Sequence, residues 1–236
     1  MNGPSTCIVL AGGLGTRLRS VLQDVPKGLA PVRGRPFLAW QLASLAERGV
    51  ERFVFALGHG SQQIEAALQT WPQAPDITCV VEPVALGTGG AIAHAMDEVG
   101  LNEALVANGD TFVGGTLAAM LAPLRLESGE LLRIAAVDVP DRTRFGGLAT
   151  DEQGRVTHFL EKGERGAGPI NAGIYRLHRD ALPAAGQPAT YSLETDVMPG
   201  LVARGAISTA KLAGPFIDIG VPEDYRRFCE QHEQFC

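Results

Sequence analysis

The stretch Leu10-Ala11-Gly12-Gly13-Leu14-Gly15-Thr16-Arg17-Leu18-Arg19 follows directly on an apolar, β-branched run from Thr6. Glycines at the carboxyl end of a strand let backbone N–H groups come close to an anion, which is how phosphate-cradling loops work. Arg17, just past the glycines, supplies a bidentate guanidinium that a plain turn would not need. The loop is not a dinucleotide fingerprint, because with Gly13 and Gly15 as its first two glycines Leu18 stands where the third belongs. No Gly-Lys-Ser/Thr follows at the spacing of a Walker loop either. For the glycines alone, a plain turn is the competing reading. Ten residues beyond Arg17, Val25-Pro26-Lys27 holds an ammonium in a Pro-fixed, non-helical context. In isolation Lys27 reads equally well as a solvated lysine.

Further along, Glu82-Pro83 precedes the glycine-rich segment Leu86-Gly87-Thr88-Gly89-Gly90-Ala91, and Leu105-Val106-Ala107-Asn108-Gly109 ends an apolar run at the carboxylate of Asp110. An Asp after a strand is as often a turn former as a ligand. The elements that must position these groups alternate. Thr6 to Ala11, Arg52 to Leu57, Ile77 to Val81, Ala104 to Ala107 and Leu132 to Val137 read as buried strands. Phe37, Leu38, Leu42 and Leu45 share one helical face after Pro36, and Ile64, Ala67, Leu68 and Trp71 share another after a Ser61 cap. That alternation predicts an α/β, Rossmann-like, mixed but mainly parallel sheet with helices on both faces, binding ligands outside the carboxyl ends of its strands. After Val137 the pattern turns to paired strands. Phe145 to Thr150 and Val156 to Glu161 form a hairpin through Asp151-Glu152-Gln153-Gly154, and Ile170 to Leu177 is another strand. A helix capped by Ser192 runs toward Arg204 with a break expected at Pro199. A strand Phe216 to Ile219 then leads into a terminal helix. One domain is expected, with an α/β half over about 1–137 and a smaller, β-rich half ending in a helix over about 138–236.

Gly12-Gly13-x-Gly15-Thr16-Arg17 followed by Pro26-Lys27 resembles the opening motif of sugar-1-phosphate nucleotidyltransferases. The segments Glu82-Pro83, Leu86 to Ala91, Asn108-Gly109-Asp110, Phe159-Leu160-Glu161-Lys162, Asn171-Ala172-Gly173, Ser192-Leu193-Glu194 and Phe216 to Tyr225 follow in the family's order, over residues 5 to about 228. Arg19-Ser20-Val21 and Gly28 stand where the common motif has Pro-x-Thr and a second proline. The resemblance implies that Leu10, Ala11, Gly12, Gly13, Gly15, Thr16, Glu82, Gly87, Thr88 and Gly89 bind the nucleotide. Arg17, Lys27 and Lys162 would act in catalysis. Gly146, Glu161, Lys162, Asn171 and Glu194 would bind the sugar phosphate, and Asp110 and Asp218 would hold Mg2+. Within the family the pattern most resembles heptose-1-phosphate guanylyltransferases, and less the mannose-1-phosphate guanylyltransferases and muramate-phosphate uridylyltransferases. Guanine presents N1–H and a 2-amino group side by side, which one carboxylate accepts together, so Glu82 is the expected reader of GTP. The resemblance implies a transferase alone, without the β-helix acyltransferase domain of some relatives, and leaves room for a homodimer.

The remaining composition narrows the partners. With 45% apolar and 19% charged residues the chain has ample material for a buried core, and its 29 glycines are about twice the usual share of ~7%. A net charge of -6 with no Lys/Arg cluster argues against nucleic acid or an acidic membrane as partner. The start MNGPSTCIVLAGG has no basic flank and only a short apolar run, so a cytoplasmic location is expected. Cys7, Cys79, Cys229 and Cys236 lack Cys-x-x-Cys spacing, so a disulfide framework is not expected. His59, His94, His158, His178 and His232 show no metal-ligand spacing. Two other classes compete. A nicotinamide dehydrogenase would need an acidic residue closing the second strand, where Gly58-His59-Gly60 stands. A nucleotide-binding regulatory subunit would lose the metal ligands, and Asp110, Lys162 and Asp218 argue against it.

Overall fold

The computed structural model describes residues 5–13, 22, 25–71, 76–184 and 190–235. Its frame is a seven-stranded sheet. In chain order the strands are β1 (Thr6–Leu10), β4 (Arg52–Leu57), β5 (Asp76–Val81), β6 (Glu103–Asn108), β8 (Leu132–Val139), β11 (Gly168–His178) and β12 (Ile207–Lys211). In space they run β12-β8-β11-β6-β1-β4-β5. Three two-stranded ribbons complete the β structure: β2 (Pro31–Val32) with β3 (Arg35–Pro36), β7 (Thr111–Val113) with β13 (Phe216–Asp218), and β9 (Gly147–Thr150) with β10 (Val156–Leu160). The helices are α1 (Phe37–Glu47), α2 (Ser61–Gln69), α3 (Gly87–Val99), α4 (Ala118–Leu121), α5 (Met198–Ala203) and α6 (Pro222–Gln231).

The period-two alternation of a strand explains why these runs are apolar throughout. On β1, Ile8 packs with Ile92 and Met96 of α3. Cys7 and Val9 point the other way, into a cluster with Leu38, Leu42 and Leu45 of α1 and Ile64 and Leu68 of α2. Both faces are covered, so both sets of side chains must be apolar. A third cluster joins Phe37 and Phe112 to Ile217, Tyr225 and Phe228, which docks α6 beside the β7/β13 ribbon. Burial of the Cys7 thiol pushes its pKa up and leaves it inert. Cys7, Cys79 and Cys229 are free thiols, and Cys236 lies outside the described residues.

Four details differ from the sequence expectation. β11 runs antiparallel to both neighbours, β6 and β8, so the second half of the chain is built into the sheet itself. β5 is an edge strand rather than a buried one, and Val81 at its end is 44% exposed. Ser61 is the first residue of α2 and caps nothing. Gly60, at φ 77, holds the cap position, because a left-handed residue there turns the chain out of β4 into the helix. The segment after Ser192 is a π turn, Leu193–Val197, followed by α5. Ser192 does cap it, accepting from Thr195 N–H, and Pro199 sits in the first turn of α5, where its missing N–H costs nothing.

Candidate active site

Four parallel strands, β5, β4, β1 and β6, end side by side and form the first wall. Past β1, Ala11 N–H donates to Ala56 O on β4 at 3.0 Å. Gly12 lies so near the next strand end that a Cβ on it would stand 2.7 Å from Glu82 Oε1 and 2.9 Å from Gly58 N. That close approach, rather than an unusual φ, is what demands glycine. Glu82, just beyond β5, accepts at Oε2 from Leu86 N–H at 2.7 Å, which closes the turn that starts α3. On the other side of β1, Gly109 N–H donates to Leu10 O at 2.9 Å, and Asp110 follows.

Asp110 is held from beneath and above. Gln41 of α1, 4% exposed, donates through Nε2 to Asn108 O at 2.8 Å and Thr111 O at 2.6 Å, straddling the Gly109-Asp110 turn. Two carbonyl acceptors dictate which end of that amide faces them. Asp110 Oδ1 accepts from Thr111 Oγ1 at 3.1 Å, and Oδ2 from Lys27 Nζ at 2.5 Å. Lys27 opens a single 3-10 turn, Lys27–Leu29, after Pro26, and its ammonium also stands 3.8 Å from Asp218 Oδ1. Pairing of β13 with β7 sets Asp218 opposite Thr111, and Ile219 N–H donates to Asp110 O at 2.9 Å, so the ribbon brings the two carboxylates together. Burial pushes the Asp218 carboxyl above its ordinary range and the charge of Asp110 adds to the rise. Lys27, the Gly220 N–H and Arg144 oppose it without cancelling it.

The reversed β11 forms the second wall, since its amino-terminal end lies beside the carboxyl ends of its neighbours. There its pairing with β8 slips: Asn171 faces Ala136, but Tyr175 already faces Ile134. This bulge passes through Gly173 at φ +69, where a Cβ would stand 2.8 Å from Asn108 Nδ2. Asn171 Oδ1 accepts from Gly173 N–H and its Nδ2 donates to Tyr175 Oη, both at 3.0 Å. The buried Tyr175 hydroxyl reaches Glu194 Oε1 at 3.5 Å. Burial, and then the Glu194 charge, push this phenol far up, so it remains a neutral donor.

Glu194 links the walls. Its Oε2 accepts from Thr88 Oγ1 at 2.8 Å and Ser192 Oγ at 3.1 Å, while Thr88 Oγ1 accepts from Leu193 N–H at 2.8 Å. The N–H groups of Gly89 and Gly90 donate to Tyr191 O at 3.0 and 3.3 Å. A Cβ on Gly89 would lie 2.5 Å from the Tyr191 ring. Gly89 is therefore packed against Tyr191 and is not among the residues lining the first cavity.

Two adjoining cavities result, of about 490 and 580 Å³, with Asn108 and Glu194 lining both. The first is lined by Leu10, Ala11, Gly12, Gly13, Lys27, Glu82, Gly87, Thr88 and Asp110 of the expected residues. The second is lined by Gly146, Glu161, Lys162, Asn171 and Asp218. Gly15, Thr16 and Arg17 lie outside the described residues. The sequence reading gave no individual role to Gln41, Asn108, Tyr175 or Arg144. Gln41 carried a signal, since it is a polar residue on the Leu38, Leu42, Leu45 face of a helix.

A nucleotidyl transferase family model matches residues 6–234. The chain is 36% identical, over 94% of its length and 97% of the relative, to a D-glycero-alpha-D-manno-heptose 1-phosphate guanylyltransferase of Campylobacter jejuni. It is 35% identical over 93% of its length to a mannose-1-phosphate guanylyltransferase of Mycobacterium tuberculosis, of which it spans 62%. Among solved structures, HddC from Yersinia pseudotuberculosis complexed with GMP-PN superposes with a TM-score of 0.84 at 33% identity, over 97% of this chain and 99% of that one. With two cavities meeting at paired carboxylates and a lysine on the carboxyl edge of a Rossmann-like sheet, the chain belongs to the nucleotidyl transferase family.

Proposed function

We propose that the protein transfers guanylyl from GTP to D-glycero-α-D-manno-heptose 1-phosphate, releasing pyrophosphate. The observation that carries this reading is the Lys27 ammonium set between Asp110, which lines the first cavity, and Asp218, which lines the second. An NTP in the first cavity and a sugar 1-phosphate in the second would bring the phosphate oxygen of the sugar to the α-phosphorus at that junction. The reaction joins two anions, so it needs neutralisation and alignment more than proton transfer. Lys27 neutralises the nucleotide phosphates from one side, and Lys162 draws the sugar phosphate from the other. Asn171, locked by Gly173 N–H and Tyr175 Oη, offers its amide to sugar hydroxyls.

Asp110 and Asp218 fit Mg2+, being hard oxygen donors without a neighbouring thiol or imidazole. Among the described residues no group of three or more His, Cys, Asp or Glu gathers, so phosphate oxygens and water would complete the shell. When bound, the ion would supply charge stabilisation to the transferring phosphoryl group. Glu82 remains the proposed guanine reader, with a modified geometry. Its Oε2 is engaged by Leu86 N–H, which leaves Oε1 for one base donor and the backbone of 85–88 for the other.

The heptose is proposed over mannose on the resemblance of segments 82–92 and 108–111 to heptose-1-phosphate guanylyltransferases, one of which is 36% identical to the chain. Pyrophosphate release is the test, with GTP, UTP, CTP, ATP and dTTP each paired with heptose, mannose, glucose and N-acetylmuramate 1-phosphates. GTP with the heptose phosphate is expected to give the highest kcat/KM. A higher value for mannose 1-phosphate would replace the sugar, and equal use of UTP would overturn the base assignment.

A further inference from the structure

The second cavity must take a dianion, yet Glu161, Glu194 and Asp218 line it, against two cationic side chains, Lys162 and Arg144. Lys162 is exposed and makes no ion pair among the described residues. Arg144 is built in. It sits on the turn before Gly146, with its guanidinium 5.0 Å from the Phe145 ring centroid, and Phe145 stacks edge-on against Phe216 of β13 at 5.3 Å. Its Nη1 donates to Asp224 Oδ2. Asp224, in the first turn of α6, is 4% exposed, a depth at which a carboxylate needs a partner.

That need does not explain Arg144, because Arg227 on the same helix already stands 3.3 Å from Asp224 Oδ1. The Arg144 side chain is 44% exposed at the cavity, and its other N–H groups have no acceptor among the described residues. A planar fork with one tine tied down and the rest free suits a phosphate better than a mobile ammonium does.

We propose that Arg144 binds the phosphate of the sugar 1-phosphate, and that the buried Asp224 is the positioning residue that holds its guanidinium toward the cavity. α6 thereby becomes part of the acceptor site, although it lines neither cavity. This rests on the sugar-1-phosphate reading above.

The test is steady-state kinetics with GTP and heptose 1-phosphate on wild type, Arg144→Gln, Arg144→Lys and Asp224→Asn. Loss of a charged hydrogen bond to phosphate is expected to raise the KM for sugar 1-phosphate ~10- to 100-fold in Arg144→Gln, with the KM for GTP unchanged. Arg144→Lys should recover part of the loss, and Asp224→Asn should move the same KM in the same direction. A purely structural Arg144 would instead lower the melting temperature and leave the ratio of the two KM values alone. If Asp224→Asn does not fold, the two Arg144 variants, at a half-exposed side chain, decide. If wild type uses no sugar 1-phosphate, the reading of the cavity fails. If it does and Arg144→Gln keeps the wild-type KM, the assignment to Arg144 is overturned.

Discussion

Glu130 offers a quantitative check on what holds the β8–β12 side of the sheet in place. It is 4% exposed, and Arg133 on β8 donates to both its oxygens at 2.8 Å. Ser208 Oγ on β12 and Arg125 N–H, the latter at 2.7 Å, complete its bonding. The rest of the Arg133 guanidinium satisfies the carbonyls of Ala119, Ala122 and Pro123 around α4. Burial opposes ionisation of Glu130, but the hydrogen bonds from Arg133, Ser208 and Arg125 outweigh it and lower its pKa from 4.5 to about 2. A carboxyl depressed by folding stabilises the native state fully above its unfolded-state pKa, and the effect fades as pH falls through the folded value. The shift corresponds to about 3 kcal/mol at neutral pH, falling to about half by pH 3 and vanishing below about 2. Glu130→Gln removes the charge and leaves Arg133 buried without its counter-ion, so the variant should lose about 3 kcal/mol or more at pH 7. Urea unfolding of both proteins from pH 7 to pH 3 measures the gap. It should narrow toward half with acidification, and a gap that stays constant with pH would refute the account.

Asp218→Asn should abolish turnover, by on the order of 10³-fold or more, as should chelation of Mg2+. The same variant should not lower the melting temperature of the ligand-free protein, because burial and Asp110 hold the Asp218 pKa above its unfolded value and its ionised form weighs against folding at neutral pH. Lys27→Met, which leaves Asp110 and Asp218 facing each other, should cost ~10²-fold or more in kcat/KM for the NTP, whereas Lys162→Ala should mainly raise the KM for the sugar 1-phosphate. An identical kinetic fault in both variants would break that division. Gln41→Leu strands two carbonyls beside Asp110 and should cost ~2–5 kcal/mol of stability in urea unfolding, together with a raised Mg2+ requirement. Normal Mg2+ dependence would limit Gln41 to packing.

What was legible in the sequence was whatever depends on local pattern. The apolar runs of β1, β4 and β6 showed themselves because a strand covered on both faces has no polar side to interrupt it. Ser192 was readable as a cap because its bond to Thr195 N–H is made within three residues. The direction of β11 was not readable. Its apolar pattern is that of any buried strand, and only its slot between β6 and β8 makes it antiparallel. Arg144 and Asp224 were hidden for the same reason, being eighty residues apart in sequence and joined only when α6 docks through Phe228 onto Phe37 and Phe112. A glycine that makes room for Tyr191, as Gly89 does, looks in sequence like one that makes room for a ligand.

The reversal of β11 has a functional consequence that a wholly parallel sheet would lack. In a parallel sheet the ligand edge receives only strand carboxyl ends and the loops after them, and the loop between two parallel neighbours must first cross over the sheet. An antiparallel insertion delivers the start of a strand to that edge, so Asn171 arrives on rigid backbone beside Asn108 instead of on a loop. The bulge through Gly173 then sets the side chain toward the second cavity while Tyr175, four residues on, returns to the core and reaches Glu194. Glu194 in turn holds Thr88 at the start of α3, so one chain of hydrogen bonds runs from the second wall of the site to the first. Breaking it at Thr88 by substitution with Val removes a hydroxyl that donates to Glu194 and accepts from Leu193 N–H. The fault should therefore appear in the use of both substrates, unlike the one-sided faults expected of Arg144 and Lys162.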